Sequence, residues 1–151
     1  MSNLFEQLVG LLGQSSNGDV FERFVSTSGQ EPKIKFIGEG ATHFIFDKLG
    51  FKVLTYKLLI EGVIIHIKSP STESGFFTAF SGTLPYAIRS DDVRSAVLRK
   101  IGVEPYKSEC MPDPKDSFEL PGYRLTILFD IETEQICLLS LMCSQKQTDG
   151  D

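Results

Sequence analysis

The chain has 151 residues, of which 41% are hydrophobic and 23% are charged, a composition typical of one ordinary globular domain with its own core. Its formal net charge of -5 argues against nucleic acid as a partner, because contacts with phosphates need a basic face. No apolar run approaches the roughly 18 residues that cross a bilayer. The N-terminus lacks the positively charged leader of a secretory signal. These features predict a cytoplasmic protein that contacts neither nucleic acid nor membrane.

Two short helices are predicted at the start of the chain. Asn3 and Glu6 have the spacing of a capping box, and leucines recur at helical intervals from there to Gly13. Asp19 and Glu22 repeat the capping spacing before a second apolar run. We expect both helices to cover one face of a sheet.

The pattern changes to strict alternation at residue 33, which predicts two short strands in 33–38 and 42–47. Residues 51–68 then predict a β-hairpin with its two-residue turn at Glu61-Gly62, because glycine tolerates the positive φ of such turns. The apolar face of its first strand is predicted to carry Leu54, Tyr56, Leu58 and Ile60.

The second half of the chain mixes helix, loop and strand signals. The aromatic run 76–82 predicts a strand, and Ser90 with two following aspartates predicts the N-cap of a helix that ends at Gly102. Four prolines within 103–121 predict an irregular loop. A final hairpin is predicted from the alternating runs 123–129 and 135–142.

Strands dominate the middle and the end of the chain, whereas helices lie at the start and at one crossover. This order predicts an α+β fold: a largely antiparallel sheet of about six strands, with N-terminal helices and one crossover helix. The prediction is a single domain over residues 1–143, followed by a disordered polar tail at 144–151.

Residues that could carry chemistry are few. His43 and His66 are the conventional bases available, and both lie in predicted strands. The three cysteines show neither a paired spacing nor a zinc motif. The sequence therefore predicts no catalytic residue, no metal site and no cofactor.

Negative charge is concentrated between residues 104 and 134, where eight acidic residues stand against three basic ones for a net charge of -5. Such a patch would attract a cationic protein, and interleaved aromatic residues could anchor the interface. The predicted partner-binding residues are Glu104, Glu109, Asp113, Asp116, Glu119, Tyr106, Phe118, Asp130, Glu132 and Glu134.

Short motifs give a family resemblance over roughly residues 34–142. They are Phe76-Phe77, the run Ser81–Pro85, the helix end Ile101–Pro105, and Gly122–Leu125 before the last hairpin. Together they resemble bacterial immunity proteins of contact-dependent inhibition and related toxin systems. The resemblance implies stoichiometric binding of a cognate toxin domain, often a cationic nuclease, and it implies no catalytic residues.

Two other classes of function remain open at this point. A small enzyme or ligand-binding domain would use the sheet face around His43 and His66, with tyrosine or carboxylate partners nearby. A structural adaptor would show a large exposed apolar patch and oligomerisation. The oligomeric state does not follow from the sequence.

Overall fold

The computed structural model describes residues 3–68, 78–110 and 112–144. Within these ranges one sheet is accompanied by three α-helices and a 3₁₀ turn at Pro85–Ala87. The helices are α1 (Leu4–Leu11), α2 (Asp19–Ser28) and α3 (Arg94–Ile101). The strands are β1 (Lys33–Gly38), β2 (Ala41–Phe46), β3 (Phe51–Tyr56), β4 (Leu59–His66), β5 (Lys107–Glu109), β6 (Lys115–Leu120), β7 (Tyr123–Phe129) and β8 (Ile136–Met142).

The sheet has eight strands in the order β1-β2-β3-β4-β8-β7-β6-β5, and every neighbouring pair is antiparallel. The prediction of about six strands is therefore wrong. The run 103–121, predicted to be an irregular loop, supplies β5 and β6 between its prolines. Conversely, the described part of the predicted aromatic strand, residues 78–82, is not a strand.

All three helices pack on the same face of the sheet. Phe5 of α1 meets Tyr123 edge to face, Phe24 of α2 meets both Phe46 and Phe51, and Arg94 of α3 lies over Phe129. The aromatic side chains among them belong to one continuous core, and the burial of its apolar area is the main source of stability.

Local signals explain where α1 begins. The Asn3 side chain accepts a hydrogen bond of 2.8 Å from the Glu6 amide, which satisfies one of the free N–H groups of the first turn. The predicted start of α1 is thus confirmed. The cap of α2 differs from the prediction, because Gly18 takes the N-cap position and Asp19 is the first helical residue.

The predicted start of α3 is wrong. The helix begins at Arg94, whose amide donates to the Glu134 carbonyl at 3.0 Å, so the loop before β8 provides the partner that a capping side chain would provide. Asp92 instead accepts hydrogen bonds from the Arg89 amide and from Lys100. These two contacts engage the Asp92 carboxylate in the turn before the helix.

The predicted turn of the β3–β4 hairpin is also wrong. The chain turns at Lys57-Leu58, where both residues adopt positive φ, at 50° and 68°. Glu61 is an extra residue that forms a bulge in β4, and Gly62 stays within the strand. A Cβ atom at Gly62 would lie 2.6 Å from the Met142 sulfur and 3.2 Å from the Leu141 carbonyl oxygen, so this glycine permits the close approach of β8.

The face predicted for β3 is also reversed. Phe51, Val53 and Thr55 point into the core, whereas Tyr56 is exposed. Thr55 is tolerated there because its hydroxyl donates to the Thr42 carbonyl at 3.0 Å. The final hairpin, in contrast, follows its prediction: β7 alternates buried and partly exposed positions from Tyr123 to Phe129.

Parts of the predicted tail and of the resemblance motifs lie outside the described residues, namely 145–151 and Phe76-Phe77. Two glycines of the resemblance motifs lie in turns of the described ranges: Gly102 ends α3 in the left-handed conformation, and Gly122 forms the β6–β7 turn with φ of 88°. Both are structural positions.

Candidate functional site: the uncovered face of the sheet

The face of the sheet opposite the helices is called the open face here. Because residues that pair directly in an antiparallel ladder share a face, the register assigns its members. One row across the sheet runs Lys33, Ile45, Lys52, Ile64, Ser140 and Thr126. None of these positions is fully buried, whereas their strand neighbours on the other face are largely in the core.

The middle of the open face is apolar. Ile45, Leu54, Ile64, Leu138 and Met142 lie there, each partly exposed. A surface of this kind, with partly exposed aliphatic side chains on rigid strands, is a common form of protein interface core.

Positive charge lies within and beside this apolar area on β1–β3, since Lys52 pairs in register with both Ile45 and Ile64, and Lys35 lies on β1. Lys35 and Lys52 make no ion pair with any described residue, whereas Lys33 lies 2.7 Å from Asp47. The open-face positions of these three strands, as the register assigns them, contain no carboxylate. The local charge is therefore positive although the whole chain is acidic.

The two histidines lie on this same face. Partial burial and the charges of Lys52 and Lys35 lower the pKa of His43, and burial with the charge of Lys52 lowers the pKa of His66 to about 4. Both imidazoles are neutral at pH 7. The enzyme hypothesis built on this pair stays a prediction.

The opposite end of the open face has a compact polar group. The Arg124 guanidinium lies 4.7 Å from the centre of the Tyr106 ring and 3.1 Å from a Glu119 carboxylate oxygen. Ser144 donates to the other oxygen of Glu119 at 2.7 Å. The charges of Arg124 and Glu119 are therefore matched within the chain.

The acidic patch predicted between residues 104 and 134 is divided by the fold. Asp116 is fully buried and forms a two-pronged pair with Arg94 at 2.7 and 2.8 Å, with Ser108 as a third donor. Burial alone would raise the pKa of Asp116, but the hydrogen bonds from Arg94 and Ser108 outweigh it and the pKa is lowered. This carboxylate serves the fold.

Three more of the predicted partner-binding residues are inside the protein. Asp113 is 9% exposed, Phe118 belongs to the core, and Asp130 is 1% exposed and accepts hydrogen bonds from Glu132 and Thr133 within its own loop. Contact with a partner requires exposure, but Asp113 and Asp116 are buried and Glu119 is partly buried. The exposed members of the predicted set are Glu104, Tyr106, Glu109, Glu132 and Glu134, and their role in binding stays a prediction.

A signal for the open face was present in the sequence. Lys33 and Lys35 alternate with Ile34 and Phe36, which places both lysines on one face of a strand. What the alternation could not show is which face the helices leave uncovered.

Other features of the described residues give no competing site. A cavity of about 480 Å³ lies between α1 and α2 over Leu11 and Phe24, with Arg23 at its rim, but Asp19 and Glu22 lie beside that arginine. No three histidine, cysteine or acidic side chains among the described residues are placed to hold a metal ion. No helix in the described ranges has the length and apolarity to span a membrane.

Comparison with known proteins gives a likeness of fold. No family model matches the sequence, and no curated protein matches it. An extracellular protein containing an SCP domain from Bacillus anthracis str. Ames matches with a TM-score of 0.62 and 10% identity, over 93% of this chain and 46% of that one. A cysteine-rich secretory protein from Staphylococcus aureus subsp. aureus Mu50 matches with a TM-score of 0.57 and 10% identity, over 91% of this chain and 46% of that one.

These matches overturn the expectation of a cytoplasmic toxin-immunity protein. Both matching structures are described as extracellular or secretory, and neither is described as an immunity protein. This chain spans less than half of each, so the likeness covers only a part of those longer chains. At 10% identity, what this chain shares with them is the fold.

Proposed function

We propose that this chain is a binding domain without catalytic turnover, and that its open face contacts an acidic surface of a partner protein. The observation that carries the proposal is the group of partly exposed apolar side chains on that face, around Leu54 and Ile64, together with Lys35 and Lys52, which make no ion pair with a described residue. Partly exposed apolar side chains beside unmatched charges favour a contact that combines apolar burial with charge complementarity.

The sign of the partner's charge follows from local pairing. Exposed charges interact mainly within a Debye length of about 8 Å at physiological salt, so the charges at the patch count for more than the net charge of the chain. Since Lys35 and Lys52 lack counter-charges among the described residues, carboxylates of a partner would gain attraction there.

The fold likeness agrees with a role as part of a larger assembly. Each matching structure contains this fold within a chain about twice as long.

The test is an NMR titration of the isotopically labelled chain with an acidic glutamate–tyrosine copolymer as the probe. Amide shifts should change on β2, β3 and β4 around Lys52 and Ile64, and Lys52→Glu should reduce the affinity by on the order of tenfold. The matched control is Arg99→Glu, which makes the same charge change at an exposed position on α3. Shift changes confined to the helix side, or equal losses in both variants, would refute the proposal.

A further inference from the structure

β1 is an edge strand of the described sheet. Among the described residues it pairs only with β2, so no described strand lies on its outer side, and all six of its residues are exposed. The side chains on its helix side are apolar and extend beyond the helices: Ile34 is 55% exposed and Phe36 is 81% exposed. Edge strands of this length and apolarity invite pairing with another strand unless a protein protects them.

A second copy of the chain is a poor occupant of this edge. In a symmetric antiparallel pair, residues at equal distances from the centre oppose each other, and the centre falls on one residue. A centre at Lys35 places that lysine against its copy, and a centre at Ile34 places Lys33 against Lys35 twice. Like charges directly opposite one another destabilise a strand pair.

The third register fails for a geometric reason. A centre at Phe36 places Ile34 against Gly38, whose φ of 112° is not that of a strand and where the β1–β2 register already shifts. Only the three positions 35–37 would then pair. The sequence of β1 thus opposes self-pairing while its backbone and apolar side chains remain available.

We infer that β1 binds an extended segment of another protein that alternates acidic and apolar residues, which would become a ninth strand. The alternation is dictated by the edge: acidic side chains would oppose Lys33 and Lys35 on the open face, and apolar ones would oppose Ile34 and Phe36 on the helix side. Lys35 has no ion pair with a described residue, so its charge is free for this contact.

This edge is a surface distinct from the centre of the open face, so it goes beyond the proposed function. A partner could use either surface alone. The main-chain hydrogen bonds of the added strand would provide affinity, and the side-chain alternation would provide selectivity.

The test uses three blocked eight-residue peptides in fluorescence anisotropy: alternating Glu and Val, alternating Lys and Val, and the Glu/Val composition arranged as two blocks. The first should bind at least about tenfold more tightly than the other two. Lys35→Glu should weaken binding of the Glu/Val peptide and strengthen binding of the Lys/Val peptide. Phe36→Ser should weaken both, and its circular dichroism should be unchanged because Phe36 is exposed.

Equal binding of the alternating and block peptides would overturn the inference, as would an unchanged preference in Lys35→Glu. Dimerisation of the wild type that Phe36→Ser abolishes in sedimentation would assign the edge to a second copy instead. Lys52→Glu, on β3, should change peptide binding by less than about twofold. Loss of binding in that variant alone would place the peptide on the open face, which refutes the edge site and leaves the proposed function standing.

Discussion

The two halves of the sheet treat their charged residues differently. In β5–β8 and the adjoining helix, Asp116 meets Arg94 and Glu119 meets Arg124, and Asp130 accepts hydrogen bonds within its own loop. In β1–β3, Lys35 and Lys52 face solvent without a counter-charge among the described residues. Three acidic residues of the second half, Asp116, Glu119 and Asp130, are thus engaged within the fold, whereas the two lysines of the first half remain available.

This difference shows why counting charges along a sequence does not by itself identify a binding surface. A charge contributes to recognition only if it is exposed and unmatched, and both conditions depend on neighbours that are distant in sequence, 22 residues apart for Arg94 and Asp116. Electrostatic steering of a partner depends on the electric field at the protein surface, and the two charges of an ion pair largely cancel in that field.

The largest expected effect comes from removing the buried ion pair between Asp116 and Arg94 in the second half. Asp116→Asn should lower the free energy of unfolding by about 3 kcal/mol at pH 7, because Arg94 then remains largely buried without its counter-charge. Urea denaturation followed by circular dichroism measures the change. Glu132→Gln, an exposed acidic position in the same half, should stay within about 0.5 kcal/mol of the wild type.

The pH dependence of the same pair has a definite sign. Since the pKa of Asp116 is lower in the folded state, the pair stabilises the protein above the unfolded-state pKa of about 4, and this contribution is lost as the pH falls through the folded-state pKa. The Asp116→Asn variant should lack this part of the acid sensitivity. Equal acid unfolding profiles for the two proteins would contradict the role of the pair.

His66 on the open face makes the stability of the protein depend on pH in a milder range. The pKa of His66 is about 4 when folded and about 6.5 when unfolded, so the unfolded state binds the extra proton between those values and stability falls as the pH falls. From pH 7 to pH 5 the free energy of unfolding should drop by about 2 kcal/mol from this residue. His66→Gln should remove that drop, as measured by urea denaturation at each pH.

Two controls separate the causes of that lowered pKa. Lys52→Gln should raise the pKa of His66 only in part, because burial is the larger cause, and an NMR titration of the imidazole shows how far. His43→Gln should alter the pH profile less than His66→Gln does. A His66 that titrates near 6.5 would show that this end of the open face is more solvated than described.

The smallest effect concerns the turn of the β3–β4 hairpin in the first half. Lys57→Asn with Leu58→Gly should stabilise the protein by about 1 kcal/mol, because both positions have positive φ and Asn-Gly suits such a turn. Thermal unfolding measures the gain. Glu39→Asn in the β1–β2 turn, where Gly40 already occupies the second turn position, should stabilise the protein less. An equal gain in stability would argue against backbone strain at Leu58.

Several elements of this fold could be predicted because their signals are local. The Asn3 cap of α1 depends on residues within one turn, and the alternation from Tyr123 to Phe129 needs only the period of a strand. The lysine alternation of β1 could be read in the same way.

The remaining features depend on what packs against each element. The Glu61-Gly62 pair predicts a turn, yet Gly62 lies inside a strand, where β8 approaches closely. Asp116 lies in a proline-rich segment predicted to be a loop, yet it is buried in β6 and paired with Arg94 of α3. Sequence periodicity by itself determined that strands with two unlike faces would form. Only the tertiary structure decided which face was covered and which acidic residues remained at the surface, because burial and charge pairing are set by groups far apart in the chain.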